Sequence, residues 1–172
     1  MASKDYHLVY GSLKEGLHEF SYHLTEDFFT SIEQELIQKG DVHVLLKLDR
    51  SERHLSLDFK LDGWVDKSCD TCLSQLQYPI DSLHHLHVKI SDKEMEDEAD
   101  LIVLGSGEYQ LDLTSHLFDF VALSLPMKIE CEDPMNSEEC DKTVLKMLAT
   151  EEGDNDKTTH PEWQKLKEIF KN

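Results

Sequence analysis

Arginine is nearly missing from this chain: only Arg50 and Arg53 occur in its 172 residues, where Lys+Arg total 17 against 36 Asp+Glu and the net charge is −19. A protein that grips bare RNA or DNA displaces condensed counterions with a basic face, and arginine forks are the usual phosphate clamp. The sequence shows no such cluster, so direct binding to naked nucleic acid is disfavoured. Long apolar runs are missing as well, none reaching the ~18 residues of a membrane-spanning helix. The opening MASKDYHLVYGSLKEG is charged throughout and lacks an apolar h-region, which argues against a signal peptide. A cytoplasmic location is expected, and there cysteines remain thiols or metal ligands rather than disulfides. No glycine-rich phosphate loop, G-x-S-x-G elbow or catalytic-triad spacing occurs, so neither enzymatic activity nor a small-molecule substrate is expected.

Acid is what the chain has in abundance. An acidic surface steers towards basic partners, and ribosomal proteins are the most abundant of these in a bacterial cytosol; solubility alone is the plain alternative. Hydrophobic residues at 39% suffice for a core. Alternating apolar residues predict strands over 17–24, 42–48, 54–65 and 85–90, with shorter ones at 7–10 and 101–104. Residues 49–52 form a hairpin connection. Helical periodicity predicts a helix over 28–38, capped by Thr25-Glu26-Asp27 and ended by Gly40. A second runs from Asp112 or Thr114 to Leu125 before Pro126, and a third covers 142–149. Residues 91–100 carry six acids and one lysine and read as a solvated loop. The pattern describes one α+β domain over 1–149, an antiparallel sheet of local hairpins with a few packed helices. An acidic linker over 150–159 and a short amphipathic helix over 160–172 form a partly disordered tail. On that last helix, Trp163, Leu166, Ile169 and Phe170 are candidate anchors for a partner's groove, against docking on their own domain.

Four cysteines carry the chemistry. Cys69-Asp-Thr-Cys72 is a C-x-x-C pair at a turn, a spacing that converges two thiolates on one ion. Cys131 and Cys140 have eight residues between them, looser than the usual two to four intervening residues, and complete a candidate four-sulfur site. A structural zinc centre, free reduced thiols and a redox pair are the competing readings. Redox chemistry wants the pair at a helix N-terminus, and here Asp66 precedes it and Asp70 lies within it, both of which would raise a thiol pKa, with no clear helix following. His85 and His87 share one strand face, but no third ligand is placed beside them, so a solvated face is the simpler reading. Glu94, Glu96, Asp97 and Glu98 lack the interleaved geometry of a calcium loop.

The order of these elements resembles the YceD-type large-ribosomal-RNA accumulation proteins. The resemblance rests on Leu13-Lys14-Glu15-Gly16 before an aromatic strand, Cys69, Cys72 and Leu73, then Pro79 opening the next strand. Leu111-Asp112-Leu113 before a helix, Leu123-Ser124-Leu125-Pro126 after it, the Cys131/Cys140 pair and the closing Pro161, Trp163 and Leu166 continue the series. Two departures stand out: Glu138-Glu139-Cys140-Asp141 lacks the family's glycine, and Glu162 rather than arginine follows Pro161. The resemblance implies a small acidic factor without catalytic activity that supports large-subunit rRNA accumulation or processing. Its expected partner is a basic ribosomal protein or a large-subunit precursor particle. A C-x-x-C redox or metal-handling protein and a dedicated acidic chaperone of one basic protein are the alternatives.

Overall fold

The computed structural model describes residues 6–32, 34, 36–91, 101–131 and 140–152. Its centre is a five-stranded sheet in the order β2-β3-β4-β5-β6: β2 (Gly16–Leu24), β3 (Gly40–Arg50), β4 (His54–Ser68), β5 (Gln75–Ile90) and β6 (Leu101–Leu104). The first four strands form an antiparallel meander. A separate ribbon pairs β1 (His7–Val9) with β7 (Gln110–Asp112). Three helices, α1 (Glu26–Ser31), α2 (Thr114–Leu123) and α3 (Lys142–Glu152), complete the α+β arrangement read from the sequence.

Period-2 alternation decides which face is covered. Val42, Val44, Leu46 and Leu48 of β3 and Leu55, Leu57, Phe59 and Leu61 of β4 are buried on one face. Phe28 and Phe29 of α1, Leu117, Phe120 and Val121 of α2, and Leu8 and Leu111 of the ribbon join them in one core. Phe59 and Phe120 meet with ring centroids 5.0 Å apart. The opposite face, with His43, Lys47, Asp58, Lys60, Leu83 and His85, is exposed. Gly63 holds the inward register between Leu61 and Val65 with φ +154°, and a Cβ there would lie 2.1 Å from the Asp41 carbonyl oxygen. Only glycine tolerates that position.

Three local expectations change. The helix over 28–38 stops at Ser31, and Ile32 is already extended (φ −93°, ψ 126°). Hydroxyls bend the backbone's bonding inward there, Thr30 to the Glu26 carbonyl and Ser31 to the Phe28 carbonyl. Beyond it the Gln34 amide spans both the N–H and the carbonyl of Ile37, which is fully buried. The strand pattern that seemed to break after Val65 runs on: β4 pairs with β5 from His54↔Lys89 to Ser68↔Gln75. Pro79 is accommodated because β6 covers only His87–Ile90, which leaves the rest of β5 an edge. Finally, β6 lies parallel to β5, so one edge of the sheet is not a hairpin. Helix α3 continues through Glu152, into the composition that reads as a linker, and the remaining tail residues 153–172 lie outside the described residues.

Candidate metal centre

The length of β4 and β5 explains where the first cysteine pair sits. Their ladder extends past the main core and places 69–74 at the hairpin tip. The tip is closed by the Leu73 N–H donating to the Cys69 carbonyl (3.0 Å) and the Cys69 N–H donating to the Ser74 carbonyl (2.9 Å). Leu73 makes the reversal with φ +60°, an unusual conformation for a side chain of this size, and its side chain is exposed.

The second pair arrives from the segment after α2. Asp70 anchors it twice: its N–H donates to the Ile129 carbonyl (2.9 Å), and its carboxylate accepts from the Ile129 N–H (2.7 Å). Ser74 Oγ accepts from the Asp141 N–H at 3.2 Å, fixing the residue after Cys140. The Asp141 carboxylate then accepts the Thr143 N–H (2.7 Å) and starts α3. These bonds gather a small second core of Cys69, Cys72, Leu76, Ile129, Cys131 and Cys140, with Val144 and Leu145 packed on it.

All four cysteines are buried, and their sulfurs lie within 4.8 Å of one another. Cys69 and Cys131 are 3.5 Å apart, Sγ to Sγ. That is far from a disulfide bond of about 2.05 Å, and the four thiols are free. Four sulfurs around an ion at a bond length of about 2.3 Å stand ~3.8 Å apart in a tetrahedron, so this set fits a thiolate-bound ion with small adjustments. Of the sequence-predicted residues, all four cysteines are therefore brought together despite the loose spacing of Cys131 and Cys140. The anchors Trp163, Leu166, Ile169 and Phe170 lie outside the described residues, as do the acids of 94–98.

The thiols differ in their readiness to ionise. Cys72 is brought down to about 6, first by the side chain of Ser74, whose Oγ lies 3.3 Å from its sulfur, then by the Ser74 and Asp141 backbone. Cys131 is pushed up to about 11 by burial, and burial raises Cys140 further. The acids flanking the pair do not prevail at Cys72, because hydrogen-bond donors reach its sulfur directly while Asp70 is spent on the Ile129 N–H. No helix begins at Cys69 or Cys72, so the arrangement differs from a redox C-x-x-C at a helix N-terminus.

Sequence reasoning named Asp70 only as an acid beside the thiols, and it missed Ser74 and Ile129, which with Asp70 hold the cysteines. Asp70 inside the C-x-x-C and Ser74 two residues after it were the available signal. It also missed a second group on the exposed sheet face: His23 and His43, opposed in register, both reach Asp41 Oδ1, at 2.9 and 3.5 Å. Their rings stack at 4.2 Å. His85 and His87 do share the exposed face, with His85 on Asp58, whereas His84 points inward and stacks on Phe120 at 4.6 Å.

A buried thiol cluster that fastens a hairpin tip to a following helix defines a class: a small α+β protein with a structural four-cysteine centre. The family model described as large ribosomal RNA subunit accumulation protein YceD matches residues 57–170, more than half of the chain, and covers all four cysteines. The chain belongs to the YceD family, as its ordered motifs implied. No match was found among curated proteins or among solved structures.

Proposed function

We propose that this protein is a non-enzymatic accessory factor of large-ribosomal-subunit assembly, acting in the cytoplasm on a basic ribosomal protein or on the precursor particle. Membership of a family described by large ribosomal RNA accumulation carries this reading. The net charge of −19 supports a basic protein partner, since long-range attraction speeds encounter and disfavours acidic competitors. Among the described residues no helix is long and apolar enough to cross a membrane.

In the same reading Cys69, Cys72, Cys131 and Cys140 hold one zinc ion, for which soft thiolates in tetrahedral array are the fitting donor set. The ion is structural: it locks the hairpin tip to α3 and leaves no open position for substrate. Trp163, Leu166, Ile169 and Phe170 supply an apolar anchor for the partner.

Sedimentation of a cell extract tests the assignment. The protein is expected to travel with large-subunit precursors at low salt and to move to the top fractions as salt screens the charges. Recovery in the top fractions at every salt concentration contradicts it. Copurification of one stoichiometric basic protein without rRNA selects the dedicated-chaperone alternative instead.

A further inference from the structure

The two arginines of the sequence are not scattered. Arg50 ends β3, Arg53 stands in the β3–β4 turn, and both line one cavity of about 830 Å³ together with Lys89 of β5. Four chain segments build its walls: Tyr10–Gly11, residues 50–53, residues 89–91 and the turn at 106–109. They are fastened by backbone bonds, the Ile90 N–H to the Arg53 carbonyl (2.9 Å) and the Tyr10 and Gly11 N–H groups to the Tyr109 carbonyl (3.1 and 2.9 Å). The buried Tyr10 adds its hydroxyl, donating to the Glu108 carbonyl at 2.8 Å. The site is therefore framed by the fold and not by loose side chains.

Two features point to an unfilled role. Arg50 Nε is buried and has no hydrogen-bond partner among the described residues. A buried guanidinium donor without an acceptor is costly, and because Arg50 also lines the cavity, an anion bound there meets the same guanidinium. At the rim, Tyr109 is 61% exposed, a large aromatic ring offered to solvent beside two guanidinium forks.

We infer that this cavity is a contact site for single-stranded RNA, in which Arg50 and Arg53 hold backbone phosphate and Tyr109 stacks on an unpaired base. Forked cations beside an exposed ring are the pairing that single-stranded nucleic acid uses, because every base offers a π-face and every linkage a phosphate. An acidic peptide uses the cations but leaves the ring idle. The cavity, at about 830 Å³, is large enough for a nucleotide. The net charge of −19 does not forbid the contact. At physiological ionic strength charges beyond roughly 8 Å are screened, so the local set decides. Among the described lining residues Arg50 and Arg53 face Glu52 and Glu108, and Glu108 is engaged by the Gly105 N–H at 3.2 Å. Binding is accordingly weak and salt-sensitive, suited to a factor that a protein partner brings to its RNA. The inference rests on the assembly-factor reading and adds to it the place where RNA is touched.

The test is fluorescence anisotropy of the full chain, in its purified metal-bound state, with a labelled single-stranded RNA of about 12 nucleotides in about 50 mM salt. Saturable binding is expected, falling roughly tenfold between 50 and 200 mM salt. The variant Arg50→Gln/Arg53→Gln is expected to bind at least tenfold more weakly, and Tyr109→Leu roughly fivefold more weakly. Arg53 is exposed in a turn, so Arg53→Gln alone, expected at least threefold weaker, decides the matter if the double variant fails to fold by circular dichroism. Unchanged binding by the folded arginine variants overturns the inference. So does polyglutamate that competes as well as unlabelled RNA, which makes the cavity an acidic-peptide site. Sedimentation with precursors separates the two readings: wild type that sediments but binds no RNA refutes only the cavity, and wild type that never sediments refutes the assembly role.

Discussion

The two cores of this protein are built on different principles. The sheet core joins aliphatic and aromatic side chains from five strands, a ribbon and two helices, each with many apolar neighbours. The hairpin-tip core has six buried residues, four of them cysteines. A packed apolar core spreads its stability over many contacts and loses it gradually. So small a thiol core has little apolar area to bury and relies on a few directional bonds. The first region is robust to chemistry and sensitive to volume; the second is the reverse.

The comparison can be broken from either side. The largest expected effect is Phe59→Ala: it removes a fully buried ring packed against Phe120 and is expected to cost about 3–5 kcal/mol in urea unfolding. The cysteine centre of the folded fraction should still protect its thiols from alkylation; coincident loss of that protection argues that the two cores are one.

Metal removal probes the other side. Chelation is expected to release one zinc per chain and to raise amide exchange at 69–76, 129–131 and 140–152 while leaving 42–48 protected. Zero zinc in elemental analysis with four accessible thiols refutes the metal centre. Between these lies Asp70→Ala, which leaves the Ile129 N–H without its acceptor and is expected to cost about 1–2 kcal/mol. Exchange confined to the tip and 129–131 keeps the regions separate, and a comparable loss in β3 joins them.

Asp112→Ala bears on the sheet side. The Asp112 carboxylate accepts both the backbone N–H (2.9 Å) and the hydroxyl (2.6 Å) of Thr114 at the start of α2. Those bonds, the hydroxyl first, hold its pKa below the usual carboxylate range. A depressed folded pKa gives stability that is present above the unfolded value near 4 and lost as pH falls through the folded one. Removing the cap is expected to cost about 1 kcal/mol at pH 7, and the gap to wild type should close in acid. A pH-independent gap assigns the effect to packing. The smallest effect is expected from Leu73→Gly. It relieves the left-handed φ at an exposed side chain and should stabilise the tip by up to ~1 kcal/mol, measured as slower local amide exchange. Faster exchange there assigns the leucine a packing role.

Much of the sheet was legible because alternation is a local signal: Val42 to Leu48 and Leu55 to Leu61 declare their inward face without reference to any partner. The helix at 28–38 was misread for the converse reason. Its apolar spacing suits a helix, but Gln34 and buried Ile37 answer to a tertiary demand that periodicity does not carry. The cysteine site was legible as residue types and half legible as geometry. Cys69 and Cys72 are close in sequence, whereas Cys131 and Cys140 reach them only through Asp70, Ser74 and Ile129, bonds across some sixty residues.

Composition and order alone determined the α+β class, the acidic excess, the four cysteines as a candidate site and the family. Tertiary structure alone decided the parallel edge strand, the long β4–β5 arm that carries Cys69 and Cys72 clear of the main core, and the meeting of Arg50 and Arg53 with Tyr109 at one cavity. The reason is physical. Periodicity and charge are sums over neighbours in the chain, but a metal centre or a phosphate pocket is made of residues that become neighbours only when strands pair in register.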